Sequence, residues 1–243
     1  MSLLGQAILV GLRREGYRES GAFAWVRTTQ FAAIAGRAGE FLHPEELAIL
    51  RGFKAERRQA SYLLGRYTGK SALGICVGPD FQPAQTVIAA GIFGQPVVQG
   101  QAWRPWGVSI SHTDHLVCGL AFPEAHPMAI DVEEIDEART KVMLTQIGGE
   151  ERDHVQSVCG SIDLAATVVW TAKEALSKAL RCGMTCPYEL LEVSGLEERN
   201  GTFLGRFKNF GQYQYQSWRR GKTVVTIVLP KKTELEFLFP ASL

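Results

Sequence analysis

Twice along this chain a helical pattern of about five turns interrupts a series of short strand-like runs, first from about Ala55 to Leu73 and again over residues 162 to 182. Each such helix must bury its apolar stripe against a sheet, so the expected class is α/β, more closely α+β. Each half of the chain reads as strand material with one long helix, a pattern compatible with two related halves, each a small β-sheet packed on its helix. In the first helix Arg58, Tyr62, Arg66 and Lys70 recur every four positions and drift along one face, leaving Leu63, Leu64, Tyr67 and Leu73 for the core. Alone, that cationic stripe reads as a solvated helix face. In the second, Val169, Ala172, Leu176, Ala179 and Leu180 form the apolar face, Gly183 supplies the terminator, and Lys173, Glu174, Ser177 and Lys178 take the other positions. The helices end in similar steps, GRYTGKSAL and AKEALSKAL, as two related halves would.

Around these helices the strand candidates are residues 22 to 34 (AFAWVRTTQFAAI), TVIAA, WGVSISHT, LVCGLAF, MAIDVEEI, TFLGRF, YQSWRR and VVTIVLP. A further helix starts near Pro44, where proline and two acids suit a first turn. Residues 78 to 107 turn to glycine, proline and glutamine, which predicts loops around a short strand and no interdomain linker. The division is expected after residue 122, giving halves 1–122 and 123–243.

At 243 residues the chain can bury a substantial core, and its formal net charge of +1 gives no bulk attraction to nucleic acid or an anionic membrane. Five cysteines without a C-x-x-C pair argue against a disulfide framework or structural zinc, so a reducing, cytoplasmic setting is expected. The opening MSLLGQAILVGLRREGY has too short an apolar run to span a membrane and lacks a signal-peptide pattern, so it reads as mature protein.

Three groups of residues could carry chemistry. In AIDVEE, Asp131 and Glu133 lie two apart on a strand and project from one face, making a hard-oxygen pair of the kind Mg²⁺ takes alongside phosphate oxygens. From Glu124 to Glu137 the acids are Glu124, Asp131, Glu133, Glu134, Asp136 and Glu137, without a lysine or arginine among them. By itself the pair reads more readily as an acidic strand end entering a loop. On the second helix Glu174 and Lys178 are spaced i,i+4, the geometry of a modest helix ion pair, but they also supply a third carboxylate and a cation. GVSISHT places Ser111 and His112 side by side near a strand end, where they could donate to a phosphate. No G-x-S-x-G elbow, Walker A loop or G-x-G-x-x-G occurs, which leaves covalent hydrolysis and the common nucleotide loops without support.

Taken in order, RRQASYLLGRYTGKSAL, FGQPVVQG, GVSISHT, AIDVEE and WTAKEALSKAL resemble the Sfp-like 4′-phosphopantetheinyl transferases over residues 43 to 183. The resemblance implies two pseudo-symmetric halves with CoA and Mg²⁺ held between them. It also implies transfer of the phosphopantetheine arm of CoA to a serine of an apo acyl, peptidyl or aryl carrier protein, releasing adenosine 3′,5′-bisphosphate. By the match, Asp131, Glu133 and Glu174 are metal ligands; Glu174 either serves only in that way or also takes the hydroxyl proton. Lys178 faces the pyrophosphate. Ser109, Ser111 and His112 match the strand end that meets the CoA 3′-phosphate, and Gly94, Gln95 and Pro96 match the turn beside adenine. Lys70 and Arg51 are candidate phosphate contacts, and Glu151 stands where another acid often lies near the metal. Ser109 replaces an asparagine, Gln95 a lysine and Ala129 a glycine of the family pattern, which touches the hold on the nucleotide and no carboxylate. A monomer suffices for two halves in one chain. The runner-up is a CoA- or carrier-binding module without activity, which should have lost at least one of Asp131, Glu133, Glu174 and Lys178.

Overall fold

A computed structural model describes residues 5–100, 105–237 and 239–240, the side chain of Met184 excepted. The first four residues of the expected mature start therefore lie outside the described residues. Internal contacts divide the chain into two units, Met1–Pro127 with Glu234–Leu238, and Met128–Thr233 with Phe239–Leu243. The sequence places the division after residue 122 and assigns everything beyond it to the second half.

The first unit opens on a hairpin, Gln6–Arg14 (β1) and Tyr17–Arg27 (β2), closed at Gly16, whose φ of +67° suits the tight two-residue turn. Four helices follow: Phe31–Ala35 (α1), Ala38–Phe41 (α2), Pro44–Gly52 (α3) and Glu56–Val77 (α4). The strand expected over residues 22 to 34 thus ends at Arg27. Beyond it Thr28 is fastened by its N–H to His115 O (3.0 Å) and by its hydroxyl to Asp114 O (2.8 Å), and the chain turns helical. The hairpin Val87–Ala90 (β3) and Pro96–Gln99 (β4) leads to Trp106–His112 (β5) and Leu116–Pro123 (β6). The antiparallel order is β1-β2-β6-β5, with Leu63, Leu64, Ala72 and Leu73 of α4 buried. Gly119 of β6 lets the helix come close, since a Cβ there would stand 3.0 Å from the Thr68 carbonyl carbon.

The second unit runs Ala129–Glu134 (β7), Glu137–Leu144 (α5), Gly149–Cys159 (α6) and Ile162–Ala179 (α7). A meander completes it: Val193–Arg199 (β8), Thr202–Phe207 (β9), Tyr213–Arg220 (β10) and Thr223–Pro230 (β11). The order β7-β11-β10-β9-β8 is antiparallel throughout. On α7 the buried Leu164, Val168, Val169, Ala172, Ala175 and Leu176 form the core stripe. A short strand, Glu234–Glu236 (β12), then pairs with β1 in the first unit. Among the described residues no single helix is long and apolar enough to cross a membrane.

In each unit a strand leads through short helices into one long helix, and a later strand returns to pair with that strand, β6 with β2 and β11 with β7. One internal device recurs. Glu46, third residue of α3, accepts from His43 N (3.0 Å) and Ile88 N (2.9 Å) and is ion-paired to Lys70, which also donates to Phe41 O and Pro83 O (both 2.8 Å). Glu151, third residue of α6, accepts from Gly148 N (3.3 Å), Val193 N (2.6 Å) and Lys173 Nζ (2.8 Å), and Lys173 also donates to Gln146 O (3.0 Å). Each clamp pins a helix start, a strand start and the long helix to one buried carboxylate whose oxygens are all engaged. Superposing the clamps sets YTGKSAL of α4 on WTAKEAL of α7. In that register Lys70 falls on Lys173, whereas the comparison of GRYTGKSAL with AKEALSKAL end on end sets it on Ser177.

Candidate functional site

In the second unit, period-two alternation on β7 carries Asp131 and Glu133 to one face, and α7 packs beside that strand. Asp131 is buried, and Lys178, one turn beyond Glu174 on α7, reaches it: Nζ lies 2.7 Å from Asp131 Oδ1 and 3.3 Å from Ile130 O. Arg139 of α5 donates to Glu133 Oε1 at 2.8 Å, and the Tyr188 hydroxyl donates to Glu174 Oε1 at 3.3 Å. Tyr188 is held there by stacking on Trp170, with ring centroids 5.2 Å apart.

Burial raises the Glu174 carboxyl above its usual range, and the charge of Asp131 adds to the rise; Lys178 and the Tyr188 hydroxyl oppose it. Glu133 is raised in the same way, by burial first and Asp131 second, against the pull of Arg139 and Lys178. Burial also raises the Tyr188 phenol, with Glu174 next in effect, so the hydroxyl stays a donor. Glu174 thus feels the charges of Asp131 and Glu133, and Glu133 feels that of Asp131. Among the described residues no three His, Cys, Asp or Glu side chains form a group gathered to hold a metal; each of these carboxylates turns to its own donor.

Residues 127–228 match the family model ACPS, the 4′-phosphopantetheinyl transferase superfamily. The matched segment contains all four of Asp131, Glu133, Glu174 and Lys178. No curated protein matches the chain. Among solved structures, a holo-(acyl-carrier-protein) synthase from Bacillus anthracis, solved with CoA (3′,5′-ADP), aligns at 16% identity and TM-score 0.39, covering 47% of this chain and 96% of that one. The Helicobacter pylori holo-[acyl-carrier-protein] synthase in complex with coenzyme A aligns at 15% identity and TM-score 0.35, over 42% and 96%. A holo-ACP-synthase from Plasmodium yoelii aligns at 16% identity and TM-score 0.37, over 48% and 94%.

The first unit holds a cavity of about 560 Å³ lined by Phe53, Arg57, Arg58, Tyr62, Arg66 and His112, with Ser61, Gly65, Pro96 and Ile110 completing the wall. The Arg66 guanidinium lies 4.4 Å from the centre of the Tyr62 ring and 3.6 Å from Glu46 Oε1. Its buried Nε and the Tyr62 hydroxyl make no hydrogen bond among the described residues. Buried donors on a cationic, aromatic-walled cavity suit an anion attached to a flat ring.

The residues expected at a nucleotide divide sharply. His112 and Pro96 line the cavity. Ser109 and Ser111 do not, because the β5 pleat that presents Ile110 and His112 turns both serines to the buried face. The hydroxyl beside the imidazole is instead that of Ser61, 3.2 Å from His112 Nε2. Gln95 folds its amide back onto Phe93 N (3.0 Å), and Gly94, with φ +79°, shapes the turn without lining the cavity. Arg51 is exposed at the end of α3 and is not among the lining residues. Lys70 is wholly buried, with its protons on Glu46 and two carbonyls, so the first clamp holds it away from any ligand; burial lowers its pKa and Glu46 opposes this. Glu151 likewise belongs to the second clamp and not to the acid group. Arg57, Ser61, Arg139 and Tyr188 join these neighbourhoods without a signal in the sequence motifs. Arg57 and Ser61 lie on the visible α4 stripe's flank, whereas Arg139 and Tyr188 come from segments without a readable motif.

Proposed function

We propose that this chain transfers the 4′-phosphopantetheine arm of CoA to a serine hydroxyl of an apo acyl, peptidyl or aryl carrier protein, leaving adenosine 3′,5′-bisphosphate. The observation that carries it is that Asp131, Glu133, Glu174 and Lys178, coupled by their charges, all lie in the segment matched by the transferase superfamily model. Three mutually repelling hard-oxygen donors fit Mg²⁺ in kind, and Asp131, Glu133 and Glu174 are the residues that would hold it. When bound, Mg²⁺ would supply charge neutralisation on the pyrophosphate oxygens.

The chain's own groups account for the rest. Glu174, its basicity raised by burial, is suited to take the proton of the incoming serine. Lys178 fixes Asp131 and sets its positive charge where a leaving phosphate would need it. Tyr188 sets the orientation of the Glu174 carboxylate through one oxygen. In the first unit, Arg57, Arg58 and Arg66 offer planar donors for CoA phosphate, with His112 beside them and Phe53 and Tyr62 as ring surfaces for adenine. A cytoplasmic monomer, with neither nucleic acid nor membrane as partner, belongs to the same proposal.

The test is mass spectrometry of mixed apo carrier proteins after incubation with the chain, CoA and Mg²⁺. A gain of about 340 Da on a carrier serine, the mass of the arm, is expected. Unchanged carriers of every class would overturn the proposal, and the class modified would name the client.

A further inference from the structure

Past the end of α7 the chain makes a short excursion and returns along the helix it has just left. Cys182 N bonds Ser177 O (3.1 Å), and positive φ at Arg181 and Gly183 (both +56°) turns the backbone. Thr185 Oγ1 then donates to Cys182 O (2.6 Å). After Cys186 and Pro187 the 3₁₀ turn Tyr188–Leu191 lays Tyr188 on Trp170 and its hydroxyl on Glu174. At the neck of this excursion stand two half-buried thiols, Cys182 Sγ and Cys186 Sγ, 3.8 Å apart. Sulfurs in that contact need only small side-chain rotations to reach the bonded separation of about 2.05 Å. Of the three residues between them, Gly183 already stands in the left-handed region, so the backbone joining the thiols is a turn and not continuous α-helix.

We propose that Cys182 and Cys186 form a reversible intramolecular disulfide that fixes the excursion carrying Tyr188 over Glu174. The oxidant is a low-molecular-weight disulfide. One cysteine thiolate attacks it, forming a mixed disulfide and expelling the first small thiolate; the second cysteine then attacks the protein-bound sulfur, expelling the other. Two electrons pass to the oxidant, and the two protein thiol protons end on the two released thiols. Burial raises the Cys182 thiol, as does its contact with Cys186, so little thiolate is present and exchange is slow. Cys159, elsewhere in the unit, is pushed by burial to about 12 and stays out of the exchange.

The full chain is incubated with excess oxidised glutathione, its thiols are counted in denaturant, and the oxidised protein is mapped by proteolysis and mass spectrometry. The count is expected to fall from the initial five by two, with the peptide holding Cys182 and Cys186 lighter by about 2 Da. Amide hydrogen exchange over residues 183 to 191 is expected to slow about tenfold or more, and dithiothreitol should reverse both changes. Cys182→Ser and Cys186→Ser should each keep all remaining thiols. An unchanged thiol count overturns the proposal, as does a lasting glutathione adduct in place of the ring. A ring formed with unchanged exchange overturns the fixing of the excursion. Neither readout involves turnover, so failure of the transferase proposal would leave both standing.

Discussion

The two units share part of their strand order, β2-β6-β5 against β7-β11-β10, a long helix and a buried lysine–glutamate clamp, yet they differ at the positions of the second unit's acid group. With the clamps superposed, Glu174 and Lys178 of α7 fall on Ser71 and Ile75 of α4. The strands can be matched through the residues that meet each helix. Thr171 bonds Thr226 of β11 (2.6 Å), and Thr68 meets Gly119 of β6. Thr226 is paired with Asp131, and Gly119 with Ala24. Asp131 and Glu133 thus correspond to Ala24 and Val26, which are buried and apolar. A clamp present in a unit without these acids is architecture; the acids are an addition that only the second unit carries.

The largest expected effects test the shared part. Lys70→Met and Lys173→Met should each destabilise the protein by about 3–5 kcal/mol, because each leaves a buried carboxylate unpaired. Urea unfolding measures both, and a cost confined to one unit would break the equivalence of the clamps. Next comes the part that differs. Glu174→Gln should lower carrier modification by about 10²–10³-fold with circular dichroism unchanged, and a normal rate would remove Glu174 from the chemistry. A smaller effect belongs to the first unit: Arg66→Ala should weaken CoA binding about tenfold, read by calorimetry. Unaltered affinity would take the cavity out of nucleotide binding.

The smallest expected effect is a pH slope. Glu133 and Glu174 bind their protons more tightly in the folded protein than a free glutamate does. Their contribution to stability is therefore full below the ordinary carboxylate pKa and is lost as pH rises through their raised values. Glu174→Gln should flatten that decline in unfolding experiments run from acid to neutral pH. An identical slope in both proteins would mean that Glu174 is not strained by its neighbours.

Where local pattern decides structure, the sequence was legible. Pro44 marks a helix start, the apolar stripe of α7 is where the periodicity puts it, and AIDVEE is a strand whose pleat brings Asp131 and Glu133 to one face. Residues 28 to 34 read as strand because FAAI has the same apolar content as one, and the tie of Thr28 to the β5–β6 turn that breaks the strand is tertiary. Ser111 and His112 were grouped as neighbours in sequence although a strand sends neighbours to opposite faces. Lys70 looked like one more rung of a cationic stripe, since nothing local reveals that Glu46, 24 residues earlier, waits for it inside. Tyr188 could not be found from spacing, because its place over Glu174 depends on the path of a loop.

The short strand β12 has its own consequence for how this protein can be divided. It returns to β1 from beyond the second unit, with Arg13 ion-paired to Glu234 and to Glu236 (2.9 Å), so the chain passes from one unit to the other more than once. A gene cut after Pro127 would not liberate a finished first unit. It would leave the backbone of β1 without its last partner, an open edge able to recruit another chain, and add the orphaned β12 to the other fragment as an unpaired tail.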